Sequence, residues 1–299
     1  MLGRGGTAAA YDQPEVCAVN PDAAPELAPV VTLRNGAKMP LLGLGTWPME
    51  NAEAAEVVEA ALDMGYRLID TAESYRNENG VGVAIKRSRV PREEIFVTTK
   101  FNKEWHSYDG VELAFEASAR RLGLDYVDLL LIHWPNPAQD RYVDAFAGMA
   151  KLLADGRVRA IGTSNFKTTH LQHLFDSGLV PEVNQIQLDP RHTRPDVVAM
   201  HRQHGIVTEA WSPLGRGGDL LQLPAVTTLA EKYGRTPAQI VLRWHTLVGN
   251  VAIPKSSHPE RLAENLHIFD FVLSGDELDS LSALNTGEEG LLDADVFGH

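Results

Sequence analysis

The sequence predicts an α/β chain folded as a (β/α)8 TIM barrel, with an N-terminal β-hairpin closing the barrel bottom. Three observations carry this. A strand-then-helix unit repeats eight times without a long break between Leu41 and Leu266. The strands read as near-continuous apolar runs, as parallel strands covered on both faces must. The predicted helices stop at glycine, with Gly65, Gly156, Gly178, Gly205 and Gly234 at expected C-termini. An open doubly wound sheet fits less well, because the first strand–helix turn lacks a G-x-G-x-x-G phosphate fingerprint.

In chain order, residues 1–29 are rich in Ala, Gly, Pro and Asp without periodicity. They have no apolar stretch of the secretory-signal kind and are expected to form a loosely ordered extension. The barrel domain is expected over 30–299. Val30–Leu33 and Lys38–Leu42 flank Asn35-Gly36, which suits a type I′ hairpin turn. Strand Leu41–Trp47 leads to helix Ala52–Met64, and strand Tyr66–Ala72 to helix Glu78–Arg87. Strand Ile95–Lys100 leads to helix Gly110–Leu122, and strand Val127–His133 to helix Tyr142–Ala154. Strand Val158–Ser164 leads to helix Thr168–Asp176, and strand Glu182–Gln187 to helix Pro195–His204. Strand Ile206–Ser212 precedes two helical stretches, Ala225–Lys232 and Pro237–Leu247, and strand Val251–Lys255 precedes helix Pro259–Leu266.

Composition narrows the partners. A hydrophobic content of 44% over 299 residues supports one large core. A formal net charge of -13 disfavours general nucleic-acid binding, which needs a basic surface. No apolar run approaches the roughly 18–20 residues of a membrane span. The single cysteine, Cys17, precludes an intrachain disulfide and fits a reducing cytoplasm. The expected protein is a cytoplasmic monomer with neither nucleic-acid nor membrane partner.

Four polar residues stand at or just past strand ends: Asp70, Tyr75, Lys100 and His133. In a parallel barrel those ends converge on one face. Alone, each has a bland explanation: a capping aspartate, a packed tyrosine, a satisfied buried histidine. Together they form a proton-donating set. A tyrosine is a reluctant acid near neutral pH, and an adjacent ammonium lowers its pKa. Lys100 can supply the ammonium, Asp70 can hold it charged, and His133 can donate to a carbonyl oxygen. None of them carries a hydride, so a cofactor must.

The sequence resembles the aldo-keto reductase family over about Val30 to the C-terminus. The motifs are Gly43-Leu44-Gly45-Thr46-Trp47, Leu68-Ile69-Asp70-Thr71-Ala72-Glu73-Ser74-Tyr75, Thr99-Lys100 and Leu131-Ile132-His133-Trp134-Pro135. They continue through Ile161-Gly162-Thr163-Ser164-Asn165-Phe166, Asn184-Gln185, Trp211-Ser212-Pro213-Leu214 and Ile253-Pro254-Lys255-Ser256. The resemblance is to the bacterial branch of 2,5-diketo-gluconate reductases and prostaglandin-F-synthase-like enzymes. It implies NADPH-dependent reduction of small aldehydes, ketones or dicarbonyls, with Tyr75 as general acid, Asp70 and Lys100 tuning it and His133 orienting the carbonyl. A non-catalytic nucleotide-binding barrel, acting as sensor or structural protein, is the alternative class, and the intact quartet argues against it.

The same resemblance distributes the cofactor contacts. Ser164, Asn165 and Gln185 match positions that bond the nicotinamide carboxamide, Trp211 the position that stacks on the ring, and Asp70 neighbours its ribose. Thr46, Trp47 and Ile253 belong to motifs beside the cofactor. Ser212, Leu214 and Gly215 begin the loop beside the pyrophosphate. Lys255, Ser256, Ser257, His258 and Arg261 match the adenosine 2′-phosphate site, and Glu264 and Asn265 the adenine edge. A phosphate site between a late loop and a helix N-terminus is common in barrels. Trp47, Tyr75, Trp105, His133 and Trp134 are the expected substrate-pocket wall. His201 and His204 read as a surface helix face with no metal set. The acidic stretch Glu288, Glu289, Asp293 and Asp295 reads as a solvated tail that covers the pocket only modestly.

Overall fold

The computed structural model describes residues 27–298. Most of the expected N-terminal extension, residues 1–26, lies outside the described residues. Of its remainder, Ala28 is buried in the core and the Pro29 carbonyl accepts a hydrogen bond from Leu41 N–H.

A two-stranded hairpin comes first, β1 Val30–Thr32 antiparallel to β2 Lys38–Pro40. Its turn is not type I′. Gly36 N–H donates to the Leu33 carbonyl, and of Arg34, Asn35 and Gly36 only Gly36 has positive φ (90°). That is the geometry of a type I turn followed by a left-handed glycine, whereas type I′ needs positive φ at both central residues. The Asn35 side chain caps the turn by accepting from Ala37 N–H. Leu33 and Met39 of the hairpin pack into one apolar cluster with Leu68, Phe96, Val183 and Val251. These stand at or near the starts of barrel strands, so the hairpin plugs the N-terminal end.

Eight parallel strands follow: β3 Leu44–Gly45, β4 Leu68–Asp70, β5 Phe96–Phe101, β6 Val127–Ile132, β7 Val158–Ser164, β8 Val183–Gln187, β9 Val207–Trp211 and β10 Val251–Ile253. Each pairs in parallel with the next in chain order. The seam between β3 and β10 is closed by a bridge between Leu42 and Ala252, with Gly43 N–H donating to the Ala252 carbonyl at 2.9 Å. Glycine is required there, since a Cβ on Gly43 would fall 2.4 Å from Leu68 Cγ. The expected first strand, Leu41–Trp47, is thus regular over two residues and contributes its start to the seam.

The outer helices are α1 Asn51–Met64, α2 Glu78–Arg87, α3 Gly110–Leu122, α4 Tyr142–Ala154, α5 Thr168–Asp176 and α6 Pro195–His204. They continue with α7 Pro224–Tyr233, α8 Pro237–Leu247 and α9 Pro259–Leu266. All five expected terminating glycines have φ between 61° and 115°, a region in which a side chain would be strained. A tenth helix, α10 Gly275–Ser282, was not anticipated, although Ser274 and Glu277 form a capping box at its start.

Candidate active site

The barrel register gathers the quartet. Lys100 on β5 is 0% exposed, and its ammonium donates to Asp70 Oδ1 at 2.6 Å, the Thr71 carbonyl at 3.0 Å and the Tyr75 hydroxyl at 3.3 Å. Tyr75 sits on a short 3-10 turn just beyond β4, and its ring meets His133 edge-on with centroids 5.7 Å apart. Ser74 Oγ lies 3.3 Å from His133 Nδ1. Burial alone would lower the Lys100 pKa, but Asp70 foremost reverses this, so the ammonium form is favoured. Tyr75 goes the other way from the sequence expectation. Lys100 does pull its pKa down, but burial outweighs that and the phenol is held above its ordinary value. Burial also pushes Asp70 up against the pull of Lys100.

A fifth group, which the sequence reading missed, completes this floor. Glu209 on β9 is 0% exposed and in register with Gln185 on β8. The Gln185 amide donates from Nε2 to Asp70 Oδ2 and to Glu209 Oε2, both at 2.8 Å. The signal was available: an acid inside an apolar strand, two residues before Trp211 and so on the same face.

A cavity of about 570 Å³ opens over this floor. Gly45, Asp70, Ser164, Trp211 and Ile253, each the last residue of its strand, line it together with Gln185 of β8, Tyr75 and His133. Its walls include Trp47, Trp134, Ser212, Leu214, Arg216 and Lys255. Trp211 Nε1–H donates to Asn165 Oδ1 at 2.9 Å, which fixes the indole as a flat wall. The Asn165 amide nitrogen is committed to the His133 carbonyl and to Ser164 Oγ. Asn165 and Ser212 hold left-handed backbone, φ 64° and 51°, a strained state that clusters at functional sites.

The other expected residues divide by place. Thr46 is buried behind the wall, bonding the Asp70 carbonyl and not lining the cavity. Gly215 opens the loop that carries Arg216, whose guanidinium lies 5.9 Å over the Trp211 ring. Lys255, His258 and Arg261 are exposed around the start of α9, and Arg261 has no ion pair among the described residues. Lys255 approaches Ser257 Oγ at 3.3 Å, and buried Ser256 Oγ accepts from His258 N–H. Glu264 is engaged by Thr236, whose hydroxyl donates to it at 2.5 Å. Asn265 is buried against the Tyr66 phenol. Trp105 stands off the cavity wall, its indole N–H bonded to Glu73 at 3.0 Å.

Two further expectations differ from the structure. His201 is not on a surface face: it is 0% exposed, bridging Asn184 at 2.9 Å and Thr208 at 2.8 Å, because α6 turns it inward onto β8 and β9. The acidic tail is not merely solvated. Lys167 pairs with Asp293 at 2.5 Å and Asp295 at 2.6 Å, His170 meets Asp295 at 2.9 Å, and Arg194 pairs with Glu288 at 3.0 Å. This latch brings Leu292 and Phe297 onto the cavity wall, Phe297 edge-on to Trp134 at 4.7 Å.

The flat indole, the row of amides and the cations at a helix N-terminus suit a dinucleotide. The comparisons agree. The Aldo/keto reductase family model matches residues 41–286. An aldo-keto reductase of Mycolicibacterium smegmatis is 48% identical over 88% of this chain and 95% of its own length. Methylglyoxal reductase DkgA of Escherichia coli is 46% identical over 90% of this chain and 98% of its own. A mutant of Gox0644 solved in complex with NADPH superposes with TM-score 0.85 at 43% identity, covering 90% of this chain and 98% of that one. An aldo-keto reductase of Bombyx mori in complex with NADP gives TM-score 0.80 at 36% identity, covering 87% and 94%.

Proposed function

The chain belongs to the aldo/keto reductase family, and we propose that Tyr75 is the proton donor with which it reduces small dicarbonyls and aldehydes. It is an NADPH-dependent oxidoreductase acting between C=O and CH–OH groups. The observation that carries the residue assignment is Lys100, which reaches Asp70 and Tyr75 at once.

When bound, NADPH supplies the hydride to the carbonyl carbon. Tyr75 gives its proton to the carbonyl oxygen, and Lys100 stabilises the phenolate that remains. Asp70 keeps Lys100 charged and fixed. His133 donates to the same oxygen and sets it against Tyr75. Burial holds the phenol protonated until the oxygen gains charge, which suits reduction near neutral pH. Trp211 would give the nicotinamide its stacking face, and Ser164, Asn165 and Gln185 would flank its carboxamide. Ser212, Leu214 and Gly215 would run beside the pyrophosphate, Trp47 and Ile253 would face the cofactor from the cavity wall, and Thr46 would act from behind that wall by holding the Asp70 carbonyl. Lys255, Ser256, Ser257, His258 and Arg261 would hold the 2′-phosphate, the arginine through charge-assisted bonds. Glu264 and Asn265 would lie at the adenine edge.

Kinship with a methylglyoxal reductase supports dicarbonyls as the leading substrate class. Trp47, Trp134, Leu292 and Phe297 give the cavity apolar sides suited to small carbonyls. Loss of NADPH absorbance with methylglyoxal, other dicarbonyls and aromatic aldehydes tests the reading. Dicarbonyls are expected to turn over fastest. Tight NADPH binding with no turnover across the panel would restore the non-catalytic barrel, which the reductase relatives leave without support. The reading takes the enzyme as a cytoplasmic monomer. A lone cysteine supports the reducing compartment, and sedimentation of the purified protein tests the monomer. Among the described residues no helix is long and apolar enough to cross a membrane.

A further inference from the structure

One amine faces two carboxyl groups at the floor of the cavity. Lys100 has three N–H bonds, and all three are committed: to Asp70, to the Thr71 carbonyl and to Tyr75. Gln185 has two, and it divides them between Asp70 Oδ2 and Glu209 Oε2. Asp70 therefore receives a donor on each oxygen. Glu209, fully buried, receives one, and its Oε1 has no partner among the described residues. An ionised carboxylate with a single donor is far costlier to bury than a neutral acid. Two carboxyls that share one cation hold one proton between them, and the donor count places that proton on Glu209.

We propose that Glu209 is a positioning residue that carries a proton while the enzyme works, fixing the Gln185 amide and keeping a second negative charge away from Tyr75. Its tie to the reaction rests on the reading of Tyr75 as proton donor. The charged or titratable groups facing Glu209 are Asp70 on β4, Lys100 on β5 and Tyr75 beyond β4. The residue opposite it on β10 is Val251. Burial first, then the charge of Asp70, pushes Glu209 up to about 8, with Gln185 and Lys100 pulling the other way. Both N–H bonds of Gln185 being held by carboxyl oxygens, its carbonyl oxygen is the group left to accept a bond at the cavity wall. When Glu209 ionises, its charge raises the Tyr75 pKa further. The phenolate needed for alcohol oxidation is then delayed to higher pH.

Glu209→Gln copies the neutral acid and tests this in two ways. In the unfolded chain the glutamate loses its proton near 4.5, whereas the folded chain keeps it to about 8. Wild-type stability therefore falls across that window, and E209Q is spared, so its Tm relative to wild type rises with pH. The alkaline limb of alcohol oxidation should move down by about one pH unit in E209Q. Infrared spectra of the wild-type protein should show a protonated-carboxyl C=O band that is lost in E209Q. If E209Q does not fold, Glu209→Asp, which keeps an acid but moves the band, makes the assignment. A Tm offset independent of pH, or the absence of such a band, overturns the proposal. Retained reduction by Tyr75→Phe would overturn the proton-donor reading instead, leaving the stability and infrared results to judge Glu209 by themselves.

Discussion

At the cavity floor, Lys100 and Glu209 are 0% exposed and Lys100 has a partner for every N–H bond; at the rim, Trp47 is 57% exposed and Arg261 has no ion pair among the described residues. Strand register assembles the floor, with Asp70 and Gln185 meeting across the barrel from positions 115 residues apart. Loops, a helix start and a latched tail assemble the rim. Chemistry that must be preorganised in low dielectric sits where the backbone cannot give. Recognition sits where side chains gain their partners only on binding, at the cost of ordering them. The floor should therefore fail in rate and stability, and the rim in affinity.

The largest expected effect is at the floor. Tyr75→Phe should lower kcat for reduction by about 10³-fold while leaving the Kd for NADPH within about threefold; fluorescence titration beside steady-state rates separates the two. Next, Lys100→Met leaves Asp70 buried without its cation and should cost about 3–5 kcal/mol of stability at neutral pH. In that variant the folded Asp70 pKa rises further above its unfolded value, so the deficit shrinks as pH falls toward the range where aspartate is protonated in both states. Urea melts from about pH 4 to about pH 8 read this, and a deficit constant with pH would mean that Asp70 is neutral in the native protein.

At the rim, Arg261→Ala should weaken NADPH by about 10- to 100-fold and NADH by less than about threefold. Equal losses for both would remove the 2′-phosphate assignment and blur the division between floor and rim. The smallest effect belongs to the tail. Lys167→Ala releases Asp293 and Asp295 and should raise KM for the carbonyl substrate by about two- to fivefold, with NADPH affinity unmoved.

Local chemistry explains which features the sequence disclosed. Terminal glycines and apolar runs located nine helices and eight strands, because capping and burial are written within a few residues. The tenth helix carries its Ser274–Glu277 capping box but lies beyond the eighth strand–helix unit, so the barrel repeat does not call for it. The quartet was legible because strand ends converge in any parallel barrel. Glu209 was not read, since its burden depends on which donors Lys100 and Gln185 have left once the barrel closes. The Lys167–Asp293 and Lys167–Asp295 pairs join residues 126 and 128 apart, and nothing local in an acidic stretch names its cation. Trp105 shows the reverse error: an aromatic in the right loop, whose indole is held by Glu73 away from the cavity.

The tail latch has one more consequence. Asp293 and Asp295 are 54% and 50% exposed and Lys167 29%, so water and counterions reach all three. Attraction between charges so placed is screened by salt. The hold of these ion pairs on the wall formed by Leu292 and Phe297 is therefore expected to weaken as salt rises, while the buried pair of Lys100 and Asp70 should not share that sensitivity. Dissolved salt would then set how closely the mouth of the cavity is drawn, with the buried groups at its floor left as they are.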